Sequence, residues 1–165
     1  MFQKLRSDLI KELSHIRLLL VNAEGFSVNG AGFSKKLGLN GNSVEFLRDE
    51  GVECIAFSAT KSQEISSVAE SLGIALHELV SDKTEFYSKM KSELSLLDNE
   101  IAIICRDDAD LKIMKRVSFT AATADAPLEV KSKSYYPTYN HGGYAVGEIA
   151  ELIIKSKRYP DGWSE

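Results

Sequence analysis

Apolar residues follow two alternating rhythms along this chain. Short continuous runs at residues 16–22, 53–57, 101–105 and 118–123 predict strands buried on both faces of a sheet. A weaker run spans 74–80, and a short strand is expected near Tyr135. Between the runs, apolar side chains recur at helical spacing. Phe2, Leu5, Leu9, Ile10 and Leu13 mark a leading helix over 2–14. Val44, Phe46 and Leu47 begin a helix closed by Gly51, and Ile65, Val68, Ala69 and Leu72 share a face that stops at Gly73. Ser81-Asp82-Lys83 opens a helix with Phe86, Tyr87, Met90 and Leu94; two more are expected at 110–116 and 146–156. After a turn at Ala126-Pro127 no helix is expected before Tyr135. Strands alternating with helices predict an α/β fold: a Rossmann-like three-layer sandwich whose sheet is mostly parallel, with helices on both faces.

Composition narrows this reading without redirecting it. At 165 residues, with 44% apolar and 27% charged positions, the expectation is one domain over 1–165, with 1–14 as its leading helix and 158–165 as a tail. That tail, Arg158-Tyr159-Pro160-Asp161-Gly162-Trp163, either docks on a neighbouring subunit or stays disordered. A formal charge of −4 and the lack of a Lys/Arg run give no footprint for nucleic acid. Cys54 and Cys105 lie in strand-like runs and read as buried free thiols of a reducing compartment. No apolar run approaches the roughly 20 residues that cross a bilayer, and the charged amphipathic start is unlike a signal peptide, so a cytoplasmic protein is expected.

Several familiar chemistries find no support. Gly25 and Gly30 have the spacing that opens a phosphate-binding loop, but Ala31-Gly32 follow where Lys and Ser/Thr are needed. Gly25 to Asn42, with Gly30, Gly32, Gly38 and Gly41, reads as a loop or short hairpin. His15, His77 and His141 have no partner at zinc-ligand spacing, and no serine sits in a nucleophile elbow. What remains is positional. Asn22 and Glu24, Ser58, Lys83, and the run Arg106 to Asp110 all follow strands, so one parallel sheet brings them to a single rim. Singly, Ser58 reads as readily as a helix cap, and Lys83 as a surface lysine.

This order of strand-end residues resembles the haloacid dehalogenase superfamily over about residues 14 to 157, in particular its small uncapped phosphatases of the 3-deoxy-manno-octulosonate 8-phosphate type. The resemblance implies no large cap domain. In that family the first strand ends Asp-x-Asp-Gly, a nucleophile followed by a general acid/base. Ser or Thr ends the second strand, a Lys follows, and Gly-Asp-Asp-x-x-Asp completes a magnesium site. Ser58 and Lys83 resemble the phosphate-binding pair, and Asp107 and Asp110 match the later two acids. Ala124-Asp125-Ala126 matches a family tripeptide, and 141–148 resembles a glycine motif before the last helix, with Gly147 in place of its arginine.

The departures lie in the chemistry. Asn22 stands at the nucleophile, Glu24 at the acid/base, and Arg106 at a metal ligand, with Cys105 for the glycine before it. Leu39-Asn40-Gly41 replaces a substrate-loop Arg-Asp-Gly, and the segment between Gly25 and Gly51 is shorter than the family hairpin used in tetramer assembly. The resemblance then implies a phosphatase-like protein that has lost its reaction. Ser58, Lys83 and Arg106 would be left to bind a small anion such as phosphate or a sugar acid. Asp107 and Asp110 would be vestigial, and no metal or cofactor is expected. As a binding or assembly module, the chain would pair with itself or with a nucleotide-sugar enzyme of sialic acid or octulosonate metabolism. The alternative is an active magnesium-dependent phosphatase on a sugar-acid phosphate, with Asp107 taking over the metal. A third reading is a scaffold that binds nothing.

Overall fold

The computed structural model describes residues 2–27 and 42–161. Its centre is β1 (Leu18–Asn22), all five residues of which are buried. β2 (Glu53–Phe57) and β4 (Ile101–Cys105) pair with it on either side. β3 (Ala75–His77) extends the sheet beyond β2, and β5 (Phe119–Ala122) and β6 (Tyr136–Pro137) extend it beyond β4. The order is β3-β2-β1-β4-β5-β6, and among the described residues every pairing is parallel, as expected of a mostly parallel sheet.

Side chains alternate across the pleat and feed two cores. Leu19, Val21, Cys54, Ala56, Ala102 and Ile104 meet one helical layer: α1 (Phe2–Ser14), α2 (Ser43–Asp49), α3 (Gln63–Leu72) and α7 (Gly142–Arg158). Leu18, Leu20, Phe57, Ile101, Ile103 and Cys105 meet the other: α4 (Lys83–Glu93), α5 (Leu111–Met114) and α6 (Leu128–Lys133). This is the expected Rossmann-like three-layer α/β sandwich, with no large cap among the described residues. Among those residues no helix is long and apolar enough to cross a membrane. Cys54 and Cys105 are free and buried, and burial pushes the Cys54 thiol up to about 12.

Several boundaries differ from the sequence reading for identifiable reasons. β3 stops at His77 because the backbone turns at Leu79, which takes a φ of 59° and points a 66%-exposed side chain outward. The helix expected over 110–116 begins instead as a 3-10 turn at Asp108–Asp110, held by the Asp110 carboxylate accepting from the Asp107 amide. α6 was not expected; Pro127 caps it, but only Val130 on it is buried, too little for an apolar rhythm. α7 starts at Gly142 rather than Val146: Gly142 adopts a φ of 56° and is buried with Gly143, so residues that read as loop are the helix entry. At its other end Arg158 is helical and pairs with Glu50 at 3.2 Å, which takes it out of the expected tail. Of the loop or short hairpin expected over Gly25 to Asn42, residues 28–41, including Leu39-Asn40-Gly41, lie outside the described residues, as does the tail from Gly162 to Glu165, with Trp163.

Because Ile103 is fully buried in a central strand, Ile103→Ala is expected to cost about 2–5 kcal/mol, while Leu128→Ala, at a side chain 82% exposed, stays within about 0.5 kcal/mol. Urea denaturation of both variants checks this contrast.

Candidate active site

With β1 leading to β2 and β3 on one side and the chain then crossing to β4 on the other, the sheet has its topological switch point between β1 and β4. The carboxyl ends of strands open into a crevice at such a point. The first strand delivers Asn22 there, and a 3-10 turn over Ala23–Gly25 follows at once. The fourth delivers Arg106 and Asp107, and the next 3-10 turn folds Asp110 back beneath them.

Asn22 is buried, and its orientation follows from its hydrogen bonds. Its Oδ1 accepts from the Glu24 amide at 3.0 Å, so its Nδ2 must face the other way. There the two amide protons are donated to two acids, to Asp107 Oδ2 at 2.9 Å and to Asp110 Oδ2 at 2.8 Å. Asp110 is fully buried, and the Arg106 and Asp107 amides also donate to its Oδ2, at 2.8 and 3.0 Å. Lys83 Nζ donates to Asp110 Oδ1 at 2.9 Å and lies 3.7 Å from Asp107 Oδ2.

Lys83 is thus a buried member of the site and not the surface lysine its local sequence allows. It is the first residue of α4, behind the cap residue Asp82, which brings its ammonium to the rim and 5.5 Å from the centre of the Phe57 ring. Arg106 sits at the mouth. Its Nη1 lies 3.4 Å from Asp107 Oδ1, and its Nε donates to Asp125 Oδ2 at 3.2 Å. A Cβ on Gly25 would come within 2.8 Å of Arg106 Nε, so the glycine is what lets the guanidinium lie across the first strand's turn.

Asp125 was noticed in sequence only as part of a tripeptide; as the counter-charge that Arg106 requires, it is a member of the site. Burial raises its carboxyl, but its neighbours, the Arg106 guanidinium 3.2 Å away among them, outweigh that and hold it below its ordinary 3.8. A depressed carboxyl stabilises the fold above its ordinary titration range, and that contribution is lost as pH falls through the folded value.

Ser58 is buried at the end of β2, where it holds an acid rather than capping a helix. The α3 cap is Ser62. The Ser58 hydroxyl lies 2.9 Å from Glu24 Oε1, which also accepts from the Ala59 amide at 2.6 Å. A cleft of about 710 Å³ opens beside these groups, walled by Glu24, Ala59, Lys83, Arg106, Asp107 and Lys112. Lys112 was not singled out in sequence, because it sits on α5 rather than at a strand end. Ser58, Lys83 and Arg106 therefore share one rim, but each already holds a carboxylate of the chain itself.

Magnesium takes oxygen ligands at about 2.0–2.1 Å. Here the carboxylate oxygens of Asp107 and Asp110 face an amide NH2, an ammonium and a guanidinium, and the Asn22 oxygen is turned away to the backbone. The donor set does not fit the ion. Among the described residues no three His, Cys, Asp or Glu side chains form a group able to hold a metal.

No family model matches the chain. Over 165 residues it is 26% identical to the 3-deoxy-D-manno-octulosonate 8-phosphate phosphatase of Yersinia pestis, covering 94% of this chain and 88% of that enzyme. Its homologues and structural neighbours are phosphatases of the haloacid dehalogenase superfamily. In fold, the chain is similar to the octulosonate-phosphate phosphatase of Moraxella catarrhalis, whose crystal structure holds magnesium, phosphate and the sugar acid. That likeness has a TM-score of 0.78 at 22% identity, over 94% of this chain and 95% of that one. An N-acylneuraminate cytidylyltransferase of Danio rerio is 27% identical over 87% of this chain, which spans only 36% of that protein.

Removing Lys83 would leave the buried Asp110 charge without its cation, so Lys83→Met is expected to cost about 3–5 kcal/mol in chemical denaturation.

Proposed function

We propose that this chain is a one-domain phosphatase-like protein that has lost phosphoryl transfer and serves as a binding or assembly module. The observation that carries the reading is the Asn22 amide, donated to both Asp107 and Asp110 from the position of the attacking carboxylate in the enzymes it resembles. An amide nitrogen engaged in this way has no anionic oxygen with which to attack phosphorus. Losing the attacking residue of a well-studied hydrolase costs on the order of a millionfold in turnover. Glu24 is one methylene longer than the family's acid/base, and its carboxylate is already held by Ser58 and Ala59.

The substitutions also make the rim more positive. Asn for Asp at 22 removes one negative charge relative to the family pattern, and Arg for Asp at 106 exchanges a negative charge for a positive one. Lys83 and Arg106 then pair with Asp107 and Asp110 inside the rim. Lys112 in the cleft wall, which also carries Asp82 and Asp108, supplies a further cation for a small anionic ligand such as phosphate or a sugar acid. The cytidylyltransferase relative supports a role beside a nucleotide-sugar enzyme, or in assembly with further copies of this chain.

The test compares the purified protein with the triple variant Asn22→Asp, Glu24→Asp, Arg106→Asp for magnesium-dependent phosphate release from sugar-acid phosphates. No release by the natural sequence, with release appearing in the triple variant, is the expected outcome. Release by the natural sequence that Asp107→Ala abolishes establishes the active-phosphatase alternative instead.

A further inference from the structure

Glu24 does more than depart from an acid/base position. Its Oε1 accepts from the Ser58 hydroxyl at 2.9 Å and from the Ala59 amide at 2.6 Å, and its Oε2 lies 3.5 Å from the Thr60 hydroxyl. Two hydroxyls and a backbone N–H converging on one carboxylate form an oxyanion seat, and its occupant comes from the same chain. The seat is also built to survive its occupant's departure. The single proton of Ser58 has a second acceptor in the Thr60 carbonyl, likewise at 2.9 Å, and the Ala59 amide opens onto the cleft. Withdrawing Glu24 therefore strands no buried donor, which is the condition for a cheap opening.

We infer that Glu24 is a tethered ligand: it fills the seat made by Ser58, Ala59 and Thr60, and a small oxyanion from outside enters only by displacing it. The cleft of about 710 Å³ beside the seat has room for the rest of such a ligand, with Ser81, Thr84 and Lys112 on its far wall. When a competent state is populated in a fraction of molecules, the apparent dissociation constant rises by the reciprocal of that fraction. A seat closed by Glu24 in nine molecules of ten thus weakens outside binding about tenfold. This concerns occupancy and not turnover: a titration reads it whether or not phosphate release is ever detected.

Inorganic phosphate is titrated calorimetrically into the natural protein, Glu24→Ala, and Glu24→Ala with Ser58→Ala, and the same samples are melted with and without phosphate. Glu24→Ala is expected to bind phosphate at least about tenfold more tightly than the natural protein, and to gain melting temperature from it. The added Ser58→Ala removes that gain. Equal affinity of Glu24→Ala and the natural protein, including no binding by either, overturns the inference, as does a gain that survives Ser58→Ala. Should Glu24→Ala fold poorly, Glu24→Gln keeps the side chain's bulk without its charge, and a gain of the same sign is required of it.

Discussion

Two carboxylates, Asp107 and Asp110, face one point at the end of the first strand, and something at that point must donate to both. Asp110 is fully buried and Asp107 half-buried, and a buried charge beside a like one is tolerated only if it is paired and hydrogen-bonded. Here the donor is the Asn22 amide, one proton to each acid, with Lys83 behind and Arg106 in front. Two cations thus answer three carboxylates, since Arg106 also pairs with Asp125. Everything else at the rim is arranged around that closure.

The closure depends on the sheet. β1 and β4 are adjacent, fully buried and in parallel register, so the end of one is fixed against the end of the other. Both strands run into 3-10 turns, and the second turn exists because Asp110 accepts from the Arg106 and Asp107 amides while it takes the Asn22 proton. One buried carboxylate thereby ends a strand, shapes a turn and closes the site. Gly25 completes the arrangement, because any side chain there would meet the arginine.

Much of this is legible in the sequence. The runs at 16–22, 53–57 and 101–105, apolar but for Arg17, Asn22 and Glu53, are short and read as strands covered on both faces. The polar residues just beyond their ends marked the rim. Less legible were elements whose signals are short or cooperative: α6 buries one side chain, and the α7 entry is made of glycines that read as loop. In the site, sequence named the residues but not their partners. That Lys83 is buried against Asp110, and that Glu24 lies in the Ser58 seat, are facts of three dimensions. Asp125 had a discoverable signal, since a guanidinium at a strand end needs a counter-charge. Lys112 had none, being a helix residue that the fold turns toward the cleft.

The central claim is that the rim satisfies its acids with its own cations and an amide, leaving no place for a divalent ion. The most direct measurement is thermal melting of the natural protein across a magnesium titration into the millimolar range, beside a variant carrying Asn22→Asp and Arg106→Asp. A ligand bound by the folded state alone raises the melting temperature with its concentration. A flat response is expected for the natural protein and a saturable rise for the variant. A saturable rise for the natural protein would contradict it.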